Sequence, residues 1–158
     1  MTTLHDFTLK ALDGSELPLR DFRGKAVLLV NVASRCGYTP QYKGLQALWT
    51  ELRDRGLVVC GVPANEFGAQ EPGTDQQIQS FCEARYQVTF PMASKLVVKG
   101  PGQHPLYAWL TGDASAPGDV QWNFEKFLID REGRIAGRFR SDVTPESAAL
   151  REALAKVL

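Results

Sequence analysis

The run Ala26-Val27-Leu28-Leu29-Val30-Asn31-Val32 decides the fold. Apart from Asn31 every side chain is aliphatic, so an extended segment here is apolar on both faces, as a central parallel strand of an α/β sheet requires. Four residues past its end stands Cys36, in the polar turn Ser34-Arg35-Cys36-Gly37-Tyr38-Thr39-Pro40. A helical pattern follows: Leu45, Leu48, Trp49 and Leu52 recur at i, i+3, i+4 and i+7, and Gly56 beyond Arg53 and Arg55 is its stop. Cys36 therefore lies where α/β folds place their sites, at the carboxyl end of a strand and ahead of a helix. The helix N-terminus and Arg35 both favour an anion, so a lowered thiol pKa is expected there.

Working outward, Phe7 to Leu9 and Glu16 to Leu19 flank Asp13-Gly14 and predict an N-terminal hairpin. Leu57 to Val62 reads as a second buried strand. Pro63 to Gly73 is a loop, and Thr74 with Gln77 forms a capping-box signature for a helix carrying Ile78, Phe81, Cys82 and Tyr86 on one face. A shorter helix is expected after Pro105. Phe124 to Asp130 and Ile135 to Arg140 alternate around Arg131-Glu132-Gly133-Arg134 as an antiparallel hairpin, and a last helix is expected to start at Thr144-Pro145. The order βαβ, α, ββα predicts an α/β thioredoxin-like sandwich, a central mixed sheet flanked by helices with an N-terminal hairpin. At 158 residues without repeat or linker, residues 1–158 are expected to form a single domain.

Composition narrows the function. Eighteen Lys and Arg balance eighteen Asp and Glu, so neither the basic footprint of a nucleic-acid binder nor that of a membrane-surface protein is present. No apolar run approaches the roughly 20 residues of a membrane span, and Met1-Thr2-Thr3-Leu4-His5-Asp6 lacks the pattern of a secretory signal. A cytoplasmic location is expected. Three cysteines without a C-x-x-C pair, far in sequence from His5 and His104, argue against zinc and against a disulfide framework. Each thiol is then either a small buried hydrophobe or a redox group. Cys60, within an apolar strand, reads as structural. Cys82, on an apolar helix face, leaves both readings open.

The segment Asn31-Val32-Ala33-Ser34-Arg35-Cys36-Gly37-Tyr38-Thr39-Pro40-Gln41-Tyr42 resembles the peroxidatic motif of the glutathione peroxidase family, in its cysteine-bearing branch. Two further blocks resemble that family at its spacing: Asn65-Glu66-Phe67-Gly68-Ala69-Gln70-Glu71-Pro72-Gly73 and Trp122-Asn123-Phe124-Glu125-Lys126-Phe127-Leu128-Ile129. Phe90-Pro91-Met92 and His104-Pro105-Leu106-Tyr107 also resemble family segments. The resemblance implies a catalytic tetrad of Cys36, Gln70, Trp122 and Asn123. The residue types suit the chemistry: a thiolate attacks the peroxide bond, while amide and indole N–H groups stabilise anionic sulfur and then anionic oxygen without repelling either. Taken singly, Trp122 could instead be a core anchor, and Gln70 and Asn123 turn residues.

Phe81-Cys82-Glu83 resembles the segment that holds the resolving cysteine in the thioredoxin-dependent branch, which implies a Cys36–Cys82 disulfide during turnover. Two departures stand out: Ala64 occupies a position where many relatives carry a further cysteine, and Glu66 one where Gln is usual. The resemblance thus implies a thiol peroxidase acting on hydrogen peroxide and organic hydroperoxides, recycled by thioredoxin, with no metal or organic cofactor. A monomer is expected, because the subunit-contact segment of the long tetrameric relatives is missing. A peroxide sensor that relays its disulfide, a glutathione-dependent peroxidase and a general disulfide oxidoreductase remain the alternatives; the missing C-x-x-C weighs against the last.

Overall fold

The computed structural model describes all residues, 1–158. From the N-terminus, β1 (Thr8–Lys10) and β2 (Glu16–Pro18) pair antiparallel as a small hairpin. Next come β3 (Ala26–Val32), α1 (Gln41–Leu52), β4 (Leu57–Pro63), α2 (Asp75–Tyr86) and α3 (Pro105–Thr111). The chain ends with β5 (Lys126–Ile129), β6 (Ile135–Phe139) and α4 (Ala148–Val157). The main sheet has the order β4-β3-β5-β6, with β3 parallel to β4 and antiparallel to β5. This is the thioredoxin-like sandwich that the run at 26–32 predicts, with that run at its centre and all seven residues buried.

The alternation of β3 divides the interior into two cores. Ala26, Leu28, Val30 and Val32 face Tyr42, Leu45, Leu48 and Leu52 of α1, Ile78 and Cys82 of α2, and Leu150 and Leu154 of α4. Val27 and Leu29 face Leu106, Tyr107 and Leu110 of α3 and the N-terminal segment. Each fully buried aliphatic side chain contributes about 1.5–3 kcal/mol, so the strand that leads to Cys36 is anchored from both sides. Leu28→Ala should cost about 2–5 kcal/mol.

Local signals hold at most boundaries. Thr74 accepts from Gln77 N–H at 3.2 Å while the Gln77 side chain accepts from Thr74 N–H at 2.9 Å, closing the expected capping box of α2. α1 ends at Leu52, and a 3₁₀ turn over Arg53–Arg55 leads to Gly56, whose φ of 101° is left-handed. The start of α4 differs from expectation. Thr144 and Pro145 belong to a preceding turn in which Ser147 N–H donates to Thr144 O, and the Ser147 hydroxyl caps the helix by accepting from Leu150 N–H. No helix is long and apolar enough to cross a membrane.

Candidate active site

The turn after β3 is held by one hydroxyl. Thr39 Oγ1 accepts from Cys36 N–H at 2.9 Å and donates to Ala33 O at 2.8 Å, while Thr39 N–H returns to Cys36 O at 3.0 Å. Cys36 is thereby fixed just before α1, only 8% exposed, with its sulfur accepting from Tyr38 N–H at 3.3 Å. A main-chain donor aimed at sulfur suits a group that carries negative charge when it reacts.

The other two blocks converge on this turn. Arg35 N–H donates to Gln70 O at 3.1 Å, joining the residue beside Cys36 to the loop after β4. Gln70 follows Gly68 and Ala69, which both adopt left-handed φ angles of 68° and 50°. A Cβ at Gly68 would approach the Trp122 ring to 3.1 Å, so glycine is needed there for packing as well as for φ. Ala69 has no such freedom, and its conformation costs about 1–2 kcal/mol. Asn123 Nδ2 donates to Gln70 Oε1 at 3.0 Å and to Phe67 O at 3.3 Å, binding the two loops side chain to side chain. Trp122 lies over Phe67 with ring centroids 5.9 Å apart, and with Tyr38 it lines a cleft of about 380 Å³.

The contacts bear on the expected roles of Asn123 and Trp122. Both Asn123 amide hydrogens are used within the protein, because Phe67 O and Gln70 Oε1 are acceptors only; Asn123 therefore orients Gln70 rather than offering a donor of its own. With its oxygen engaged, Gln70 keeps its own NH₂ for an incoming group. Trp122 is not a core anchor, since it remains 36% exposed while its main-chain oxygen accepts from Asn31 Nδ2 at 3.0 Å.

Cys82 is buried in α2, in the same apolar cluster as Cys36 and Tyr42, and all three cysteines are free thiols. Burial pushes the Cys82 thiol up to about 11; the nearby Tyr42 hydroxyl opposes the shift, and the Glu71 and Glu83 carboxyls add to it. The Tyr42 hydroxyl stands beside this thiol without a hydrogen bond of normal geometry. Cys60, wholly buried in β4, is pushed by burial to about 12 and fits its structural reading.

Residue-level reading of the sequence passed over three polar side chains. Glu71 is buried, and burial raises its pKa even though it accepts from Ser34 N–H at 3.2 Å; its other oxygen has no partner. Asn31 and Lys126 are buried polar residues inside apolar strands. For Asn31 and Lys126 the signal was present, since a polar residue at an inward position of an apolar run must find partners; Glu71, in a loop, carried no such signal. Glu66, the departure from Gln, accepts from Val98 N–H at 2.6 Å and helps hold the loop before Gln70.

Comparison with known proteins identifies the family. A hydroperoxy fatty acid reductase of Synechocystis is 50% identical over 157 residues, covering 93% of this chain and 92% of its own. A glutathione peroxidase-like peroxiredoxin of Schizosaccharomyces pombe is 45% identical over 148 residues, covering 92% and 94%. The crystal structure of T. cruzi GPX1 superposes with a TM-score of 0.79 at 30% identity, covering 99% of this chain and 96% of that one. With the glutathione peroxidase model matching residues 4–111 and such relatives spanning nearly the whole sequence, the chain belongs to the glutathione peroxidase family.

Proposed function

We propose that this chain is a thiol peroxidase in which Cys36 is the peroxidatic residue and Cys82 the resolving one. The Cys36 thiolate attacks one oxygen of a hydroperoxide, forming an S–O bond as the O–O bond breaks. The sulfur is thereby oxidised to a sulfenic acid, and the departing alkoxide or hydroxide takes a proton to give alcohol or water. Gln70 Nε2 and the Trp122 indole N–H are the donors for the developing oxygen anion, and Asn123 keeps Gln70 turned toward it. The Cys82 thiol then attacks the sulfenic sulfur, an S–S bond forms and water leaves. A protein dithiol of the thioredoxin type reduces the disulfide and is itself oxidised.

The observation that carries this reading is the joining of the three sequence blocks around one nearly buried sulfur, through Arg35 N–H to Gln70 O and Asn123 Nδ2 to Gln70 Oε1. The peroxiredoxin name of the fission-yeast relative supports a protein dithiol as reductant, and the name of the cyanobacterial relative supports organic hydroperoxides as substrates. Cys36→Ser tests the reading. A serine hydroxyl is scarcely ionised at neutral pH, so peroxide consumption in an NADPH-coupled assay should fall to background. Retained turnover would remove Cys36 from the chemistry, and faster turnover with glutathione than with thioredoxin would change the reductant.

A further inference from the structure

We propose that Lys126 is a positioning residue for peroxide reduction, its buried ammonium holding the Trp122–Phe124 loop against the turn that carries Cys36. The proposal rests on Cys36 being the reacting thiol. Lys126 opens β5 on the face shared by Phe124 and Leu128, the face toward Cys36 and α1, and is fully buried. A side chain kept there only for bulk would be apolar, because a buried ammonium is hard to desolvate and has no carboxylate within ion-pair distance. Its donors go to two carbonyls instead: Phe124 O at 2.7 Å and Ser141 O at 3.4 Å.

Both carbonyls belong to the site. Phe124 follows Asn123 directly and holds a left-handed φ of 66°, a strained conformation for an aromatic residue. It is pinned on both sides, its N–H donating to Asn31 O at 2.6 Å and its C=O accepting from Lys126. Ser141 O also accepts from Gln41 Nε2 at 2.7 Å, and Gln41 is the first residue of α1, just beyond the Cys36 turn. Ser141 lines the same cleft as Tyr38 and Trp122. One ammonium thus fixes the exit of the Trp122-Asn123 segment and shares an acceptor with the start of the helix after Cys36.

Burial pushes Lys126 down to about 8, opposed by the carboxylates of Asp142 in the turn after β6, Glu125 beside it, and Glu146 in the turn before α4. Of these, Glu125 is already paired with Arg138 at 2.6 Å. The ammonium is therefore present at neutral pH and lost under mildly alkaline conditions, where charge-assisted bonds to both carbonyls become ordinary ones.

The test measures the rate of Cys36 oxidation by hydrogen peroxide in stopped flow across the neutral-to-alkaline range, beside an NMR titration of ¹³C-labelled lysine in the same protein. In the wild type the rate should fall with rising pH along the Lys126 titration. Lys126→Met, which keeps volume and loses the donors, should be slower at neutral pH by about 10-fold or more and lack that alkaline fall. A Met variant within two-fold of the parent, or one retaining the fall, overturns the proposal. If the variant does not fold, the wild-type comparison decides alone: a Lys126 titration that departs from the rate profile overturns it. Wild-type Cys36 that peroxide does not oxidise overturns both this proposal and the peroxidase reading, whereas a reactive Cys36 indifferent to Lys126 overturns only this one.

Discussion

Gln70 and Asn123 act as one unit, since the Asn123 amide donates into the Gln70 carbonyl oxygen. Gln70→Ala should slow Cys36 oxidation by roughly 10- to 1000-fold, the range for losing one positioned donor. Asn123→Ala should also slow it, by leaving Gln70 free to rotate. The double variant should then be little slower than Gln70→Ala alone, because residues that share one interaction are not additive. Independent, multiplying effects in stopped flow would show Asn123 acting on the reacting atoms directly. Residue identities were legible in the three sequence blocks, but this division of labour was not. It depends on a side-chain bond between positions 53 apart, and on Phe67 O fixing which way the Asn123 amide faces.

The proposed resolving role of Cys82 predicts that α2 opens during turnover. Its fully buried residues are Ile78 and Cys82, with Phe81 and Tyr86 packed against the same core cluster, and its capping box helps keep it helical. In the helix Cys82 is a protonated thiol, pushed to about 11 by burial, and a poor nucleophile at neutral pH. Local unwinding would both expose it and restore its ordinary acidity, so on the proposed mechanism the opening of α2 would control disulfide formation. Thr74→Ala removes a cap worth about 1 kcal/mol and should speed Cys36–Cys82 disulfide formation by about five-fold, because opening becomes easier. Hydrogen exchange should show residues 74–86 losing protection on oxidation only when Cys82 is present, while β3 stays protected. Slower disulfide formation in Thr74→Ala, or unchanged exchange in the helix, would contradict a gating role. The capping box was legible from Thr74 and Gln77 alone. The start of α4 is ambiguous in sequence because Thr144-Pro145 and Ser147 both carry capping grammar, and the helix begins after the later one.

At the scale of the molecule, the sequence marks β3 as an interior strand, and it lies between β4 and β5. Strand β4 is equally buried on both faces yet stands at the end of the sheet, where an isolated bridge from Gly61 to Met92 covers it, so its place was not legible from apolarity alone. Large exposed apolar side chains are confined to Met1, Tyr38 and Trp122, and the last two line one cleft. That leaves no broad apolar face for subunits to share, so a monomer is expected in dilute solution. Light scattering near 17.5 kDa would agree, and a mass near four times that value would contradict it.

On the proposed mechanism peroxide oxidises Cys36 and Cys82 captures the product. Peptide mapping by mass spectrometry after one equivalent of hydrogen peroxide, with free thiols alkylated, tests it most directly. The predicted result is a Cys36–Cys82 linked peptide pair, with Cys60 alkylated throughout and a sulfenic acid trapped at Cys36 when Cys82 is replaced by serine. Alkylated Cys36 after that treatment, or a disulfide that joins Cys36 to Cys60, would contradict the account.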